Sequence, residues 1–277
     1  MYKNYFKFTV IITYLFLSIT LVNAATRIMP LGDSITKGEW VDDTRDDSEI
    51  TGYRGSLWHK LNNAGFEAQF VGGEDAGYSI SPPFDSHHEG HPSISSRVLE
   101  DSTYEYVANA QPDTILLHIG TNDHRSDAAN MEEGVIRILD HIDTYERDQS
   151  EVIKVFVAMI IDRRKHDPII AQFNENLKVI VGERIRNGDN LTLINMYGEV
   201  GLTSADYADN THPNDSGYRK MAQVWYNALI GPETPGLYAY PYTLVDKYFI
   251  VSGSMEVDDA SSVVAFTTAI PDNGIVF

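Results

Sequence analysis

Short apolar runs alternate with amphipathic stretches along residues 27 to 230, and this alternation limits the possible folds more than any other feature of the chain. The short runs carry few charges, which is typical of strands that are buried on both faces of a sheet. In the longer stretches, apolar residues recur every three or four positions, as on one face of a helix. The predicted strands are Arg27–Leu31, Phe66–Gly72, Thr114–Ile119, Val152–Ile161 and Leu191–Met196.

Five strands connected by helices predict an α/β fold with three layers and a doubly wound parallel sheet. The flavodoxin-like strand order 2-1-3-4-5 fits five such strands with right-handed crossovers. Glycines end several of the helical patterns, as expected where a helix stops in a left-handed turn. The predicted helices begin near Tyr53, Ser95, Ala129, Asp167 and Tyr218.

The first 25 residues have the pattern of a secretory signal peptide. Two lysines precede an uncharged run from Phe8 to Val22, and the small residues around Ala24 match a cleavage site. An N-terminal membrane anchor is the alternative, but this run is shorter than the roughly 20 residues that span a bilayer. We therefore expect cleavage near Ala24, a secreted protein and no membrane partner after cleavage.

The composition shifts from about Pro232, where the helical period ends and proline, tyrosine and valine become frequent. Two runs in this tail are β-prone, Tyr248–Val251 and Val263–Thr267. The tail could cover the edge of the sheet or begin a second β module. The predicted parts are a signal peptide at 1–25, one domain at 26–231 and a tail at 232–277.

Charge and cysteine content exclude several classes of function. The chain has 40 acidic and 21 basic residues and a net charge of −19, and such a surface repels nucleic acid. It has no cysteine, which excludes thiolate catalysis, cysteine-ligated metal and disulfides. Asn190 and Asn214 begin N-glycosylation patterns, which matter only in a host that glycosylates secreted proteins.

Two loops meet where connections leave the first and third strands of such a sheet in opposite directions. The loop after the first strand carries Ser34, within Gly-Asp-Ser, and the loop after the third carries Asn122. A serine there can act as a nucleophile, and an amide N–H facing it can stabilise an oxyanion. Ordinary turn chemistry explains either residue taken alone.

The stretch after the fifth predicted strand contains Asp209 three residues before His212. This spacing lets the carboxylate hold one imidazole nitrogen while the other points outward, as in a general base with its orienting group. A helix cap beside a surface histidine is the alternative. Residues 197 to 209 are enough to cross the roughly 15 Å back to the first strand.

Several motifs together resemble those of the SGNH (GDSL) hydrolases. They are GDSI at 32–35, GTND at 120–123 and DNTHPNDSGY at 209–218, in the order and spacing of that superfamily. The motifs IMPLGDSIT at 28–36, TGYRGSLWHKL at 51–61, FVGG at 70–73 and HEGHP at 88–92 resemble the carbohydrate esterase branch that contains acetylxylan esterases. The resemblance extends from about Thr26 to Gly231.

The resemblance implies that Ser34 is the nucleophile, that His212 is the general base and acid, and that Asp209 orients His212. It also implies an oxyanion hole made by the Ser34 backbone N–H, the Asn122 side chain and a backbone N–H from the loop after the second predicted strand. The residue at that third position is Ser93.

This chain departs from the family pattern at Ser93. The family usually has glycine there, commonly followed by tryptophan, whereas this chain has Ser93 followed by Ile94. Serine keeps the backbone N–H but lacks the freedom of glycine, so the departure reduces activity if the position needs a positive φ.

Four further residues are predicted to line a substrate cleft, because aromatic faces suit sugar rings and the histidine-rich segment is interpreted as a cleft loop. They are Trp40, Tyr53, His88 and His91. Packing is an equal alternative for the aromatic residues. The segment His87–His91 has three histidines and a glutamate, but it lacks the helical spacing of a zinc motif. We therefore expect no metal and no cofactor.

The sequence thus favours a secreted serine esterase that removes acetyl groups from a polysaccharide such as acetylated xylan. An esterase acting on lipid, choline or other small esters would use the same residues. A catalytically weak carbohydrate-binding or surface protein with the same fold is the third hypothesis, motivated by Ser93 and the tail.

Overall fold

A computed structural model describes residues 24–123 and 128–230, with only the backbone of 128–130. Most of the predicted signal peptide and the whole predicted tail lie outside the described residues. Within the described residues, no helix combines the length and apolar character needed to span a membrane.

The first strand, β1 (Thr26–Gly32), lies within a largely parallel sheet. On one side it pairs with β2 (Ala68–Phe70) near its start and with β4 (His87–Gly90) at its end. On the other side lie β5 (Thr114–His118), β6 (Lys154–Ala158) and β7 (Leu191–Ile194), all parallel. A two-residue strand, β3 (Glu74–Asp75), pairs antiparallel with β4.

Helices cover both faces of this sheet. One face packs against α3 (Ser96–Ala110), α4 (Ala128–Gln149) and α5 (Pro168–Arg186), and the other packs against α2 (Gly52–Asn63) and α7 (Asp215–Ile230). In β5, Ile115 and Leu117 face the first group, and Leu116 between them faces the second. This alternation buries Ile115, Leu116 and Leu117 between the two helical layers and explains why the middle of β5 is apolar.

The structure confirms an α/β fold with a mostly parallel sheet between helices. The prediction of five strands is wrong for the described part of the chain, where the sheet has seven. The additional strands β3 and β4 have the sequences ED and HHEG, so neither has the apolar pattern that predicts a strand. Two single-turn helices, α1 (Ser34–Lys37) and α6 (Met196–Glu199), are also too short to show a helical period.

A buried arginine on α2 connects three loops to the single-turn helix α1. The guanidinium of Arg54 is inaccessible to solvent, and within the described residues its acceptors are backbone carbonyl groups. Burial lowers the pKa of Arg54 to about 10, so the group remains charged at neutral pH. The acceptors are the carbonyl oxygens of Thr36, Lys37, Ile50, Ala76 and Ser86, at distances of 2.6 to 3.2 Å.

Arg54→Met should lower the free energy of unfolding by about 3 kcal/mol or more, because five carbonyl oxygens, four of them in buried hydrogen bonds, lose this donor. Urea unfolding measures the change. Arg97→Met is the matched control, because Arg97 is 40% exposed and its partners Glu100 and Glu133 both also pair with Arg137. Its cost should be at most about 1 kcal/mol. An equal cost for the two substitutions would contradict the role of Arg54.

Candidate active site

Ser34 lies where β1 ends and α1 begins, at the carboxyl edge of the sheet. Asp33 caps α1 by accepting a hydrogen bond from the backbone N–H of Ile35 at 2.9 Å. Gly32 must be glycine, because a Cβ atom there would lie 2.2 Å from the carbonyl oxygen of His118 on β5. This close contact of β1 and β5 places Ser34, which is 5% exposed, beside the turn that follows β5.

Ser34, His212 and Asp209 form one hydrogen-bonded chain. The Oγ atom of Ser34 lies 2.9 Å from Nε2 of His212, and Nδ1 of His212 lies 2.7 Å from Oδ2 of Asp209. Since a carboxylate only accepts, Nδ1 carries the hydrogen and Nε2 is left to face the serine hydroxyl. The segment after β7 therefore crosses back to the end of β1, as the loop length predicted.

Three backbone N–H groups hold the carboxylate of Asp209 in place. Those of Thr211 and His212 donate to Oδ1 at 2.6 and 2.7 Å, and that of Val41 donates to Oδ2 at 3.0 Å. Burial pushes the pKa of Asp209 upward, but these bonds and the imidazole outweigh it and hold the pKa below the ordinary 3.8. Asp209 therefore stays ionised beside His212.

Asn122 lies in the turn that follows β5 and contacts the loop that carries Ser93. Its Nδ2 atom donates to the carbonyl oxygen of Ile94 at 2.9 Å. The next residue, Asp123, caps α3 by accepting from the N–H and the hydroxyl of Ser96, both at 2.9 Å. The loop before α3 is therefore tied to the turn after β5 at two places, Ile94 and Ser96. An amide nitrogen has two hydrogens, and the bond to Ile94 uses one of them.

Ser93 has a φ of 63°, in the left-handed region that favours glycine. The departure found in the sequence therefore falls on a position whose backbone has a positive φ. The loop is fixed at its start by the bond from the N–H of His91 to the carbonyl oxygen of Gly32 at 3.0 Å. A serine in this conformation costs roughly 1 to 2 kcal/mol relative to a right-handed one.

The prediction that Tyr53 and His88 line an open cleft is wrong. Tyr53 is inaccessible to solvent and packs near Trp225, and its hydroxyl faces Thr36 at 3.4 Å. His88 is 1% exposed, and its Nδ1 accepts from the N–H of Gly90 at 2.9 Å. Both side chains point into the interior, Tyr53 from α2 and His88 from β4. The prediction failed because residue type alone does not indicate the direction of a side chain.

Trp40 and His91 are both partly buried and are held by neighbouring side chains. The guanidinium of Arg45 lies 3.7 Å from the ring centre of Trp40. His91 stacks on Tyr106 with ring centres 4.9 Å apart, and its Nε2 lies 2.9 Å from a carboxylate oxygen of Glu89. Trp40 directly precedes Val41, which binds Asp209, so it lies next to the candidate site.

Two further observations concern histidine side chains. His118 is a core residue, since it is fully buried and its Nε2 accepts from the N–H of Ile161 at 3.3 Å. Burial lowers the pKa of His118 to about 4. In residues 24–123 and 128–230, no group of three or more histidine, cysteine or acidic side chains has the arrangement of a metal site.

Comparison with known proteins decides the family. The model of the GDSL-like lipase/acylhydrolase family matches residues 31–220, which include Ser34, Asn122, Asp209 and His212. The chain belongs to this family. The comparison agrees with the resemblance seen in the sequence motifs.

Solved structures and a curated relative give the same picture. A carbohydrate esterase family 3 protein from Talaromyces cellulolyticus is 25% identical with a TM-score of 0.64, covering 74% of this chain and 96% of that one. A family 3 carbohydrate esterase from Clostridium thermocellum is 26% identical with a TM-score of 0.63, covering 75% of this chain and 97% of that one. A multidomain esterase from Ruminococcus flavefaciens is 28% identical over a match that covers 74% of this chain. The match covers only 28% of the length of that relative. Each of these relatives is named an esterase, which agrees with the carboxylic ester hydrolase predicted from the sequence.

The carboxyl group of Asp33 is fully buried, and Asp33 directly precedes Ser34 in the chain. Burial raises the pKa of Asp33 from 3.8 to about 7, and the charge of Asp123 contributes to the rise. The N–H of Ile35 and the nearby hydroxyl of Thr121 oppose it without outweighing burial. Because the folded-state pKa lies above the unfolded value, the unfolded chain releases this proton first as the pH rises. The stability that Asp33 contributes is therefore present below pH 3.8 and is lost as the pH rises to about 7.

Asp33→Asn keeps an oxygen that can cap α1 and removes this titration. Relative to the unchanged protein, the variant should gain on the order of 2 kcal/mol of stability between about pH 5 and about pH 8. Denaturant unfolding at both pH values measures this gain. Asp101→Asn, on the exposed side of α3, controls for the loss of one negative charge. A gain of equal size in the control would contradict a special role for Asp33.

Proposed function

We propose that this chain is a secreted serine esterase that removes acetyl groups from a polysaccharide, with acetylated xylan as the expected polymer. The observation that carries the proposal is the hydrogen-bonded chain from Ser34 through His212 to Asp209. The carbohydrate esterases among its structural neighbours support a sugar substrate. The motifs shared with acetylxylan esterases support an acetyl ester.

The geometry suits acyl transfer in two steps. Ser34 Oγ attacks the ester carbonyl while Nε2 of His212 accepts the hydroxyl proton. Asp209 stabilises the imidazolium that forms, and its low pKa keeps it ionised for this task. His212 then gives the proton to the departing sugar oxygen, which leaves an acetyl group on Ser34. In the second step His212 takes a proton from water, the water attacks the acetyl group, and acetate leaves as Ser34 recovers its proton.

Three donors are proposed to stabilise the oxyanion. They are the N–H of Ser34 at the start of α1, the second N–H of the Asn122 amide and the N–H of Ser93. The first residues of a helix have N–H groups without a helical acceptor, so that of Ser34 is available. The bond from Asn122 to Ile94 O supports the other two donors, because it fixes the amide against the loop that carries Ser93. Donors fixed in advance stabilise developing charge without the cost of reorganisation.

Secretion is part of the proposal. The basic start, the apolar run and the cleavage pattern of residues 1–25 support it. An extracellular location also agrees with a polymeric substrate, which is too large to enter a cell.

Ser34→Ala should reduce acetate release from acetylated xylan by at least roughly 10³-fold, because the acyl-enzyme has no oxygen on which to form. Acetate is measured with the unchanged protein, Ser34→Ala and the control Ser102→Ala, on acetylated xylan and on aryl esters with short and long acyl chains. The unchanged protein and the control should prefer acetyl esters. Unchanged hydrolysis in Ser34→Ala would show that another residue is the nucleophile, and a preference for long acyl chains would favour the lipid alternative.

A catalytically weak member of the family is the second candidate, and the backbone of Ser93 is the observation that favours it. At a φ of 63°, a serine holds the loop less firmly than a glycine would. A donor that leaves its position part of the time stabilises the oxyanion less. Such a protein would bind acetylated polysaccharide and turn it over slowly.

Ser93→Gly should raise kcat for acetyl esters about twofold to tenfold, because glycine adopts this φ without strain. Ser93→Val keeps the N–H but disfavours the left-handed backbone, so it should lower kcat at least about tenfold. Steady-state kinetics on a small acetyl ester separate the two effects, and thermal unfolding checks that both variants are folded. A kcat in Ser93→Val equal to that of the unchanged protein would mean that this N–H is not a required donor.

A further inference from the structure

We infer that Arg163 is a positioning residue that links the segment carrying His212 to the turn carrying Asn122. Its Nη1 atom donates to the hydroxyl of Thr211 at 2.5 Å, and its Nη2 atom donates to the carbonyl oxygen of Thr121 at 3.0 Å. Thr211 directly precedes His212, and Thr121 directly precedes Asn122. The inference rests on the proposed function, since it assigns the purpose of the link to ester hydrolysis.

The guanidinium is itself held firmly. Its Nε atom lies 3.3 Å from Oδ2 of Asp167, and Asp167 caps α5 by accepting from the N–H of Ile169 at 3.0 Å. The Arg163 side chain is only 15% exposed. All three nitrogens of the planar group therefore face a fixed partner, and a lysine could not reproduce this fork.

The link matters because the base and the oxyanion donor act on the same substrate carbonyl. His212 follows β7 and Asn122 follows β5, so β6 separates the two strands that carry them. Arg163 follows β6 and its guanidinium spans from one segment to the other. A displacement of about 1 Å between two groups that act together can cost roughly 100-fold in rate.

Backbone N–H groups hold the loop of Arg163 against the segment that carries His212 without the Arg163 side chain. The N–H of Arg164 donates to the carbonyl oxygen of Asn210 at 2.9 Å, and that of Lys165 donates to the Asn210 side chain at 3.3 Å. Removing the guanidinium should therefore leave the segment in place and change only the fine position of its groups. Arg163 differs in this respect from Arg54, because removing the Arg54 side chain takes the donor away from several buried carbonyl oxygens.

Arg163→Met should lower kcat for a small acetyl ester about 10- to 100-fold and change KM less than about threefold. Millimolar guanidinium chloride should restore part of kcat, because the free ion can occupy the vacated place between the two segments. Arg164→Met is the matched control, because Arg164 is exposed and its side chain has no hydrogen bond or ion pair within the described residues. It should keep the original kcat and show no response to guanidinium.

A double-mutant cycle with Thr211→Val tests the mechanism of the effect. Thr211→Val removes one acceptor of Arg163, so it should lower kcat about threefold to tenfold alone and little further in the Arg163→Met background. Full kcat in Arg163→Met, or equal effects of Thr211→Val in both backgrounds, would overturn the inference. If Arg163→Met fails to fold, Thr211→Val decides alone, and an unchanged kcat in that variant overturns the inference.

Ser34→Ala in the same assay distinguishes a failure of the proposed function from a failure of the role assigned to Arg163. If Ser34→Ala is inactive while Arg163→Met is fully active, the proposed function stands and only the role of Arg163 fails. If Ser34→Ala remains active, the proposed function itself fails.

Discussion

The geometry around Ser34 depends on the hydrogen bonds that the guanidinium of Arg54 donates to backbone carbonyl oxygens. This guanidinium is a buried cation that has backbone oxygens as its only hydrogen-bond acceptors within the described residues. Two of these oxygens belong to Thr36 and Lys37, at the end of the single-turn helix that begins at Ser34. An isolated helical turn is unstable by itself, so this helix needs an external partner. Arg54 supplies one, and the same group fixes the loops at Ile50, Ala76 and Ser86.

The two aspartates near Ser34 have pKa values shifted in opposite directions. Asp33 and Asp209 are both aspartates next to the site, but burial raises the pKa of one and hydrogen bonds lower the pKa of the other. The difference follows from the number of N–H donors, since one N–H reaches Asp33 and three reach Asp209 within the described residues. The carboxylate beside His212 is therefore the one that stays charged, as the proposed stabilisation of an imidazolium requires.

Sequence reasoning found the residues whose chemistry shows in the type and spacing of side chains. Asp209 and His212 are three positions apart, and Ser34 follows an apolar strand, so both features were visible without a structure. Arg54 could not be found in this way, because its acceptors are carbonyl groups that every residue has. β3 and β4 were missed because paired polar strands lack an apolar pattern, and Tyr53 was misplaced because residue type does not reveal direction. The effect of Ser93 on activity depends on the sign of its φ, which the sequence does not give and the structure does.

The cap that Asp123 provides to α3 has a consequence for how the site is kept intact. α3 begins immediately after the loop that carries Ser93. The N–H and hydroxyl of Ser96, in the first turn of α3, donate to Asp123, which directly follows Asn122. Opening of that first turn would release Ser96 from Asp123 and would free the neighbouring loop at once. We therefore expect the site and the start of α3 to open together in local unfolding.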